Sequence, residues 1–166
     1  MTPPESPSLP PLDVRRARPE DLTAAAALAE RLVRMHHDVD PGRFFLPDDV
    51  QRGYTHWFGR ELKRPEAVVL VAARAEQVVG YAYGTREGRD WNALLDDYGA
   101  LHDIYVAESE RRLGTGRRLL DAIVAELEAL GAARIVLCTM VSNTAAQRLF
   151  ASAGFRSTML EMTRGG

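Results

Sequence analysis

The chain has 166 residues, enough for one domain with a substantial core, and is 46% hydrophobic and 27% charged, proportions ordinary for a soluble globular protein. Its 21 basic residues are offset by 23 acidic ones, leaving a formal net charge of -2, which argues against a general affinity for nucleic acid. The single cysteine, Cys138, excludes an intramolecular disulfide and fits a reducing cytoplasm. No apolar run approaches the roughly 18 residues of a membrane span.

Residues 1–12, MTPPESPSLPPL, hold five of the nine prolines with no basic start and no apolar centre. That composition predicts a disordered Pro-rich tail rather than a signal peptide, with one folded domain over 13–166. DVRRAR (13–18) reads as a first strand. The next stretch, PEDLTAAAALAERLVRMHH, predicts a helix. Pro19 suits its first turn, Glu20 and Asp21 its positive end, and the alanines and leucines its interior, and it should fade near His37. A second short helix is expected within 43–64, bounded by Pro47 and Pro65.

AVVLVAAR (67–74) and VVGYAYGT (78–85) are β-rich runs separated by AEQ, a hairpin length. Residues 86–99, with Asp90 and Trp91, read as a polar loop or short helical turn, and LHDIYV (101–106) as another strand. Apolar residues at 119, 120, 123, 124, 127 and 130 have helical spacing, and Gly131 is placed to end that helix. ARIVLCTM (133–140) is nearly all apolar, as expected of a strand covered on both faces, with Cys138 a small core residue. NTAAQRLFASAGF (143–155) predicts a helix from Asn143 to Gly154, and RSTMLEMT (156–163) a last strand. The sum is a mixed α/β domain with a strand–helix–strand unit at 101–140.

The stretch RRLGTGRRLL (111–120) places two glycines between pairs of arginines just where that helix begins. The first N–H groups of a helix lack internal partners and carry partial positive charge. Glycines let an anion approach this backbone closely, and Arg111, Arg112, Arg117 and Arg118 can add charge-assisted hydrogen bonds. The turn therefore predicts a phosphate site. A Walker loop would need Lys-Ser/Thr where Arg117-Arg118 stand, and a dinucleotide fingerprint would need glycine where Leu119 stands. Both are disfavoured, and with them a nucleotide-binding protein.

Arg111-Arg112-Leu113-Gly114-Thr115-Gly116 resembles the R/Q-x-x-G-x-G/A motif of the GNAT acyltransferase superfamily, with Val106 ending the strand that enters the turn. N143-TAAQRL-F150-ASA-G154-F155 is similar to the family's second hallmark, an Asn opening a helix that ends in Gly-Phe, and the order of elements agrees across 13–163. The resemblance implies a single α/β (α+β) domain. Its sheet would be mixed and mostly antiparallel, with a central splayed parallel strand pair flanked by helices. It implies that the segment Arg111, Arg112, Leu113, Gly114, Thr115, Gly116 and Arg117 holds the pyrophosphate of acetyl-CoA. Ile104, Tyr105 and Val106 would pair by backbone with the pantetheine arm, and Asn143 would hydrogen-bond one of its amides. The Ile104 N–H would then face the thioester carbonyl, where it would stabilise an oxyanion.

Transfer to an amine of pKa about 10 needs a base. The family's base position most resembles His102, which shares a strand face with Ile104. Asp103 is the alternative and points the other way unless a bulge intervenes. Many family members carry Tyr as general acid at the position of Phe150, which can only wall the slot. Tyr105, Ser142 and Ser152 are candidate substitutes, and none is selected by the sequence. His36, His37 and His56 have no metal-ligand spacing; His36 and His37, with the loop near Asp90-Trp91, are candidates for the acceptor pocket. Trp57, Phe58, Phe44 and Phe45 are either core or acceptor wall.

The expected activity is N-acetyl transfer from acetyl-CoA, without a metal, to a primary amine of a small molecule or peptide. A homodimer in the cytoplasm is the expected assembly, with neither nucleic acid nor membrane as partner. The alternatives are a non-catalytic acyl-CoA-binding or regulatory module, which Phe150 favours, and transfer of another acyl group or to a non-amine acceptor.

Overall fold

A computed structural model describes residues 9–165. The expected Pro-rich tail lies outside the described residues over 1–8. The first strand, β1 (Leu12–Arg16), opens at Leu12, one residue before the expected start. The elements follow as α1 (Leu22–Val39), α2 (Val50–Glu61), β2 (Ala67–Arg74), β3 (Gln77–Glu87), β4 (Tyr98–Val106), α3 (Thr115–Ala129), β5 (Ile135–Leu137) and α4 (Thr144–Ser152). The five strands form one sheet in chain order. Neighbours are antiparallel except β4 and β5, which are parallel. Among the described residues no helix is long and apolar enough to cross a membrane.

The apolar pattern explains the layers. Successive strand residues face opposite sides, and β2 is apolar at both parities. Val68, Leu70 and Ala72 pack with Leu119, Leu120, Ile123 and Leu127, the buried stripe of α3. Ala67, Val69 and Val71 pack on the other face with Leu28, Leu32 and Phe58 of α1 and α2. The carboxylate of Asp21 ties the start of α1 to β1. It accepts from the Arg15 guanidinium (2.6 and 3.0 Å) and from the Arg18 N–H (2.7 Å). The β2–β3 hairpin is tighter than the expected AEQ loop. Arg74 pairs with Gln77, leaving Ala75 and Glu76 at φ of 46° and 66°, which is the positive-φ geometry of a two-residue hairpin turn.

Two expectations at the C-terminal edge are corrected. The strand expected over 133–140 is only Ile135–Leu137, half-buried rather than covered on both faces, and Cys138 is exposed instead of in the core. The strand expected over 156–163 does not form: the segment is irregular, with Met159 and Met162 91% and 84% exposed. The two departures share a cause. A strand needs a paired edge as well as a β-rich sequence, and no described strand lies beyond β5. The parallel pair consequently stands at the end of the sheet.

Candidate active site

Two features built by β4 define the site. The first is a divergence. The parallel ladder runs only from Gly99–Ile135 to Leu101–Leu137, so among the described residues β4 continues to Val106 without a strand beside it on that side. The Ala107 N–H donates to the Val79 carbonyl of β3 (2.8 Å). N–H groups alternate between the two edges of a strand, so those of Ile104 and Val106 face the side that β5 has left. On the β5 side of this slot the chain runs on through Met140 and Val141, whose carbonyls accept from the Gln147 side-chain amide of α4 (3.0 and 2.9 Å).

The second feature is a β-bulge. Gly84 pairs with Leu101 and Tyr83 with Asp103, leaving His102 as the extra residue. This corrects the expectation that His102 shares a face with Ile104. Ile104 packs against the α3-side core. The His102 ring instead stacks on Tyr83 and its Nε2 meets Thr85 Oγ1 at 2.7 Å, on the α1–α2 face. The bulge brings His102 and Asp103 to one side, as an extra residue must when the side-chain period is two.

The two groups differ in setting. Asp103 accepts from the hydroxyls of Tyr81 (3.2 Å) and Tyr54 (3.4 Å). Burial pushes its carboxyl above the usual carboxylate range despite these bonds. Burial also pushes up both tyrosines, with the Asp103 charge adding to it, so they stay protonated donors. The His102 side chain is 43% exposed. Around it stand Glu87, Tyr83 and, edge-on to Tyr83 at 4.7 Å, Trp57.

At the other end of β4 lies the glycine turn. Gly114 precedes α3 at φ +82° and open space surrounds the place where a Cβ would project. Within α3 the Gly114 carbonyl takes the Arg118 N–H (3.1 Å), so the N–H groups of Thr115, Gly116 and Arg117 have no intrahelical acceptor. A Cβ on Gly116 would stand 3.5 Å from Leu149 and 3.8 Å from Val106, between α4 and β4. The turn is braced from below. Buried Glu110 accepts from Arg74 Nε (2.9 and 3.0 Å) and from the Thr115 hydroxyl (3.1 Å).

The other predicted residues divide. Arg112 (φ 64°) and Leu113 are exposed on the turn, and the Arg111 guanidinium lies 5.7 Å over the Tyr105 ring. Arg117 is engaged with Asp121 (2.8 Å) and the Ser152 carbonyl (3.2 Å) rather than standing free. Tyr105 departs from expectation: its side chain is buried on the α1–α2 face, and its backbone N–H, like that of Ala107, faces β3 and not the slot. Asn143 Oδ1 caps α4 by accepting from the Ala146 N–H (3.1 Å), a bond that does not use its NH2. Phe150 is 6% exposed, set in the α3-side core against Phe155.

His36 and His37 hold the turn after α1, stacking on Phe44 and bonding its carbonyl (2.8 Å). Phe58 is core, Phe45 and Trp91 are exposed, and Asp90 caps a turn through the Asn92 and Ala93 N–H groups. His56 lines a shallow surface groove with Thr23, Asp49, Gln51, Arg52 and Thr55, which shares no residue with the slot. Among the described residues, no group of three or more His, Cys, Asp and Glu side chains could hold a metal ion. The sequence reading missed Tyr54, Tyr81, Thr85, Glu87 and Gln147. For the β3 residues a signal existed, since Tyr81, Tyr83, Thr85 and Glu87 alternate on one strand face.

Comparison with known proteins agrees with this geometry. The sequence profile of the acetyltransferase (GNAT) family matches residues 29–155. The fold is similar to that of a tetramutant protein from Bacillus halodurans (TM-score 0.79, 21% identity, 92% of this chain and 98% of that one). It is similar to an aminoglycoside antibiotic 6'-N-acetyltransferase from Acinetobacter haemolyticus (0.71, 16%, 92% and 96%), and to an aminoglycoside N-acetyltransferase in complex with CoA (0.69, 20%, 96% and 97%). The chain belongs to the GNAT acetyltransferase family and is, by class, an acyl-CoA N-acyltransferase.

Proposed function

We propose that the protein transfers the acetyl group of acetyl-CoA to a primary amine of a small, cationic acceptor by direct attack, with His102 as general base. The observation that carries this reading is the course of β4. One strand links the helix N-terminus and glycine turn at 111–116 to the divergence at Leu101–Leu137 and the bulge at His102. The turn's residues fit a pyrophosphate. Free N–H groups open α3 there, exposed Arg112 stands on the same turn, and glycine leaves the approach open. The Ile104 and Val106 N–H groups would hold the pantetheine arm as an added strand, with the Asn143 NH2 on its other side.

In the reaction, His102 takes the proton of the attacking nitrogen, directly or through one water, as the new C–N bond forms. The Ile104 N–H stabilises the tetrahedral oxyanion. The C–S bond then breaks. The departing thiolate, whose acid has a pKa near 8.5, takes its proton from water, because Phe150 has no hydroxyl to give. The acceptor class follows from the wall on the α1–α2 face. Asp103 and Glu87 place two carboxyl groups beside Tyr54, Trp57 and Tyr83, a surface suited to an ammonium group on an apolar frame. Two proteins of similar fold are an aminoglycoside acetyltransferase in complex with sisomicin and a second one in complex with the bisubstrate analogue CoA-S-monomethyl-acetylneamine.

The test is thiol release from acetyl-CoA with a panel of small amines, aminoglycosides and peptides, with mass spectrometry of the products. Acetylated amine in wild type and its loss in His102→Gln support the reading. Acetyl-CoA binding with no acetylated product from any acceptor would make the protein a non-catalytic acyl-CoA-binding module. A second reading places the base at Asp103, favoured by the burial that raises its affinity for a proton. It predicts that Asp103→Asn loses kcat while His102→Gln does not.

A further inference from the structure

The surroundings of His102 contain a second line of polar groups: Thr85 has no role in the reaction as written above, and Glu87 enters it only as a charge on the acceptor wall. Thr85 Oγ1 lies 2.7 Å from His102 Nε2 and 2.5 Å from Glu87 Oε1. Thr85 itself is fully buried, at 1% exposure. We propose that Thr85 and Glu87 are positioning residues that fix the tautomer of His102, holding the proton on Nε2 and presenting Nδ1 as the atom that accepts a proton. The catalytic half of this inference rests on His102 being the base; the tautomer half does not.

The argument is a count of hydrogens. A threonine hydroxyl has one proton to give, while an ionised carboxylate can only accept. Two short contacts meet at Oγ1. If neutral His102 presented a bare Nε2 there, two acceptors would compete for one proton and one contact would go unsatisfied. Both are satisfied in only one direction: Nε2–H donates to Oγ1, and Oγ1–H donates to Glu87 Oε1. Nδ1 then carries the lone pair. Which ring nitrogen holds the proton is set by the hydrogen bond the other surroundings impose, and here the imposing group is a neutral hydroxyl backed by a carboxylate.

The backbone makes the line possible. Tyr83, Thr85 and Glu87 alternate on one face of β3 and supply in turn the stacking partner, the hydroxyl and the carboxylate. The ring planes of His102 and Tyr83 are 23° apart with centroids at 5.1 Å, and the Tyr83 hydroxyl is itself anchored on buried Glu61 (2.6 Å). Without the bulge His102 would face α3 and meet none of them.

The experiment is nitrogen-15 NMR of histidine-labelled protein in alkaline buffer, with the His102 signals assigned through His102→Gln. Thr85→Val, Thr85→Ser and Glu87→Gln are compared with wild type, beside steady-state kinetics. The Nε2–H tautomer should dominate in wild type and in Thr85→Ser. It should give way to Nδ1–H in Glu87→Gln, whose amide can donate to Oγ1 and turn the hydroxyl toward Nε2, and relax to the ratio of a free imidazole in Thr85→Val. In those two variants kcat should fall about tenfold or more, the scale of a misdirected general base, with the KM for acetyl-CoA unchanged, and neither substitution should add to His102→Gln. A His102 signature unmoved in the Glu87→Gln protein, whose substitution keeps the size of a half-buried side chain, would overturn the inference. So would a Thr85→Ser protein as impaired as Thr85→Val. If the tautomer shifts as stated but His102→Gln is fully active, the base assignment fails and the positioning of the ring stands.

Discussion

His102 lies stacked on Tyr83 because β4 carries one residue more than β3 between the Leu101–Gly84 and Asp103–Tyr83 pairs. A regular ladder would send the imidazole to the α3 side, into a packed core. The bulge sends it beside Asp103 at the exposed mouth of the slot. Kinetics should separate the two groups. His102→Gln keeps a ring-sized polar side chain, so the KM for acetyl-CoA should stay near wild type while kcat falls about a hundredfold or more, the usual contribution of a general base. A kcat within twofold of wild type would remove His102 from the chemistry.

Asp103→Asn should act on stability in a way that depends on pH. Burial raises the folded-state pKa of this carboxyl. Its cost is therefore absent below the ordinary carboxylate pKa of about 4 and grows as pH rises through the raised folded value. The asparagine can still accept from Tyr54 and Tyr81 without ionising. The variant should match wild type in melting temperature near pH 4 and exceed it at neutral pH. Equal melting temperatures at both would mean that the carboxyl is ionised in the folded protein at no cost.

Much of the architecture was legible because it is written locally. The doubly apolar β2, the 3.6-residue period of α3 and the glycines of 111–116 each carry their meaning within one element. The site was half legible for a related reason. LHDIYV marks a strand, but nothing within it marks a bulge, since the extra residue exists only relative to the register of β3. Thr85 and Glu87 became part of the site through that same long-range pairing. The 156–163 segment failed in the opposite sense: its β-rich pattern was real, but the edge it needs is not supplied by any described strand.

Gly114 offers two substitutions with distinct outcomes. A Cβ there meets open space, so Gly114→Ala should cost only the strain of φ +82°, about 1 kcal/mol, measured by denaturant unfolding. Gly114→Glu should fold comparably and lose acetyl-CoA binding in calorimetry, because a carboxylate then occupies the anion's approach. If the folded Gly114→Glu protein binds as wild type does, the turn is not the phosphate site.

Beneath that turn, Glu110→Gln should be more damaging than its distance from the chemistry suggests. It leaves the Arg74 guanidinium, 14% exposed, without its carboxylate, and weakens the Thr115 bond. Breaking such a pair costs about 3 kcal/mol. Acetyl-CoA affinity should fall with it as α3 loses its footing, whereas Arg74→Met with Glu110→Leu, which removes both charges, should recover most of the stability.

The β2–β3 turn is a place where the natural residues cost stability. Ala75 and Glu76 both sit at positive φ, where an L side chain is strained and an Asn-Gly pair is favoured. The double substitution Ala75→Asn with Glu76→Gly leaves the Arg74–Gln77 register intact and touches neither the slot nor the glycine turn. Unfolding in urea should show a gain of about 1 kcal/mol, with the slope of the transition unchanged and acetyl-CoA binding unaffected. A loss of stability instead would mean that Ala75 or Glu76 makes a stabilising contact worth more than the strain its replacement relieves.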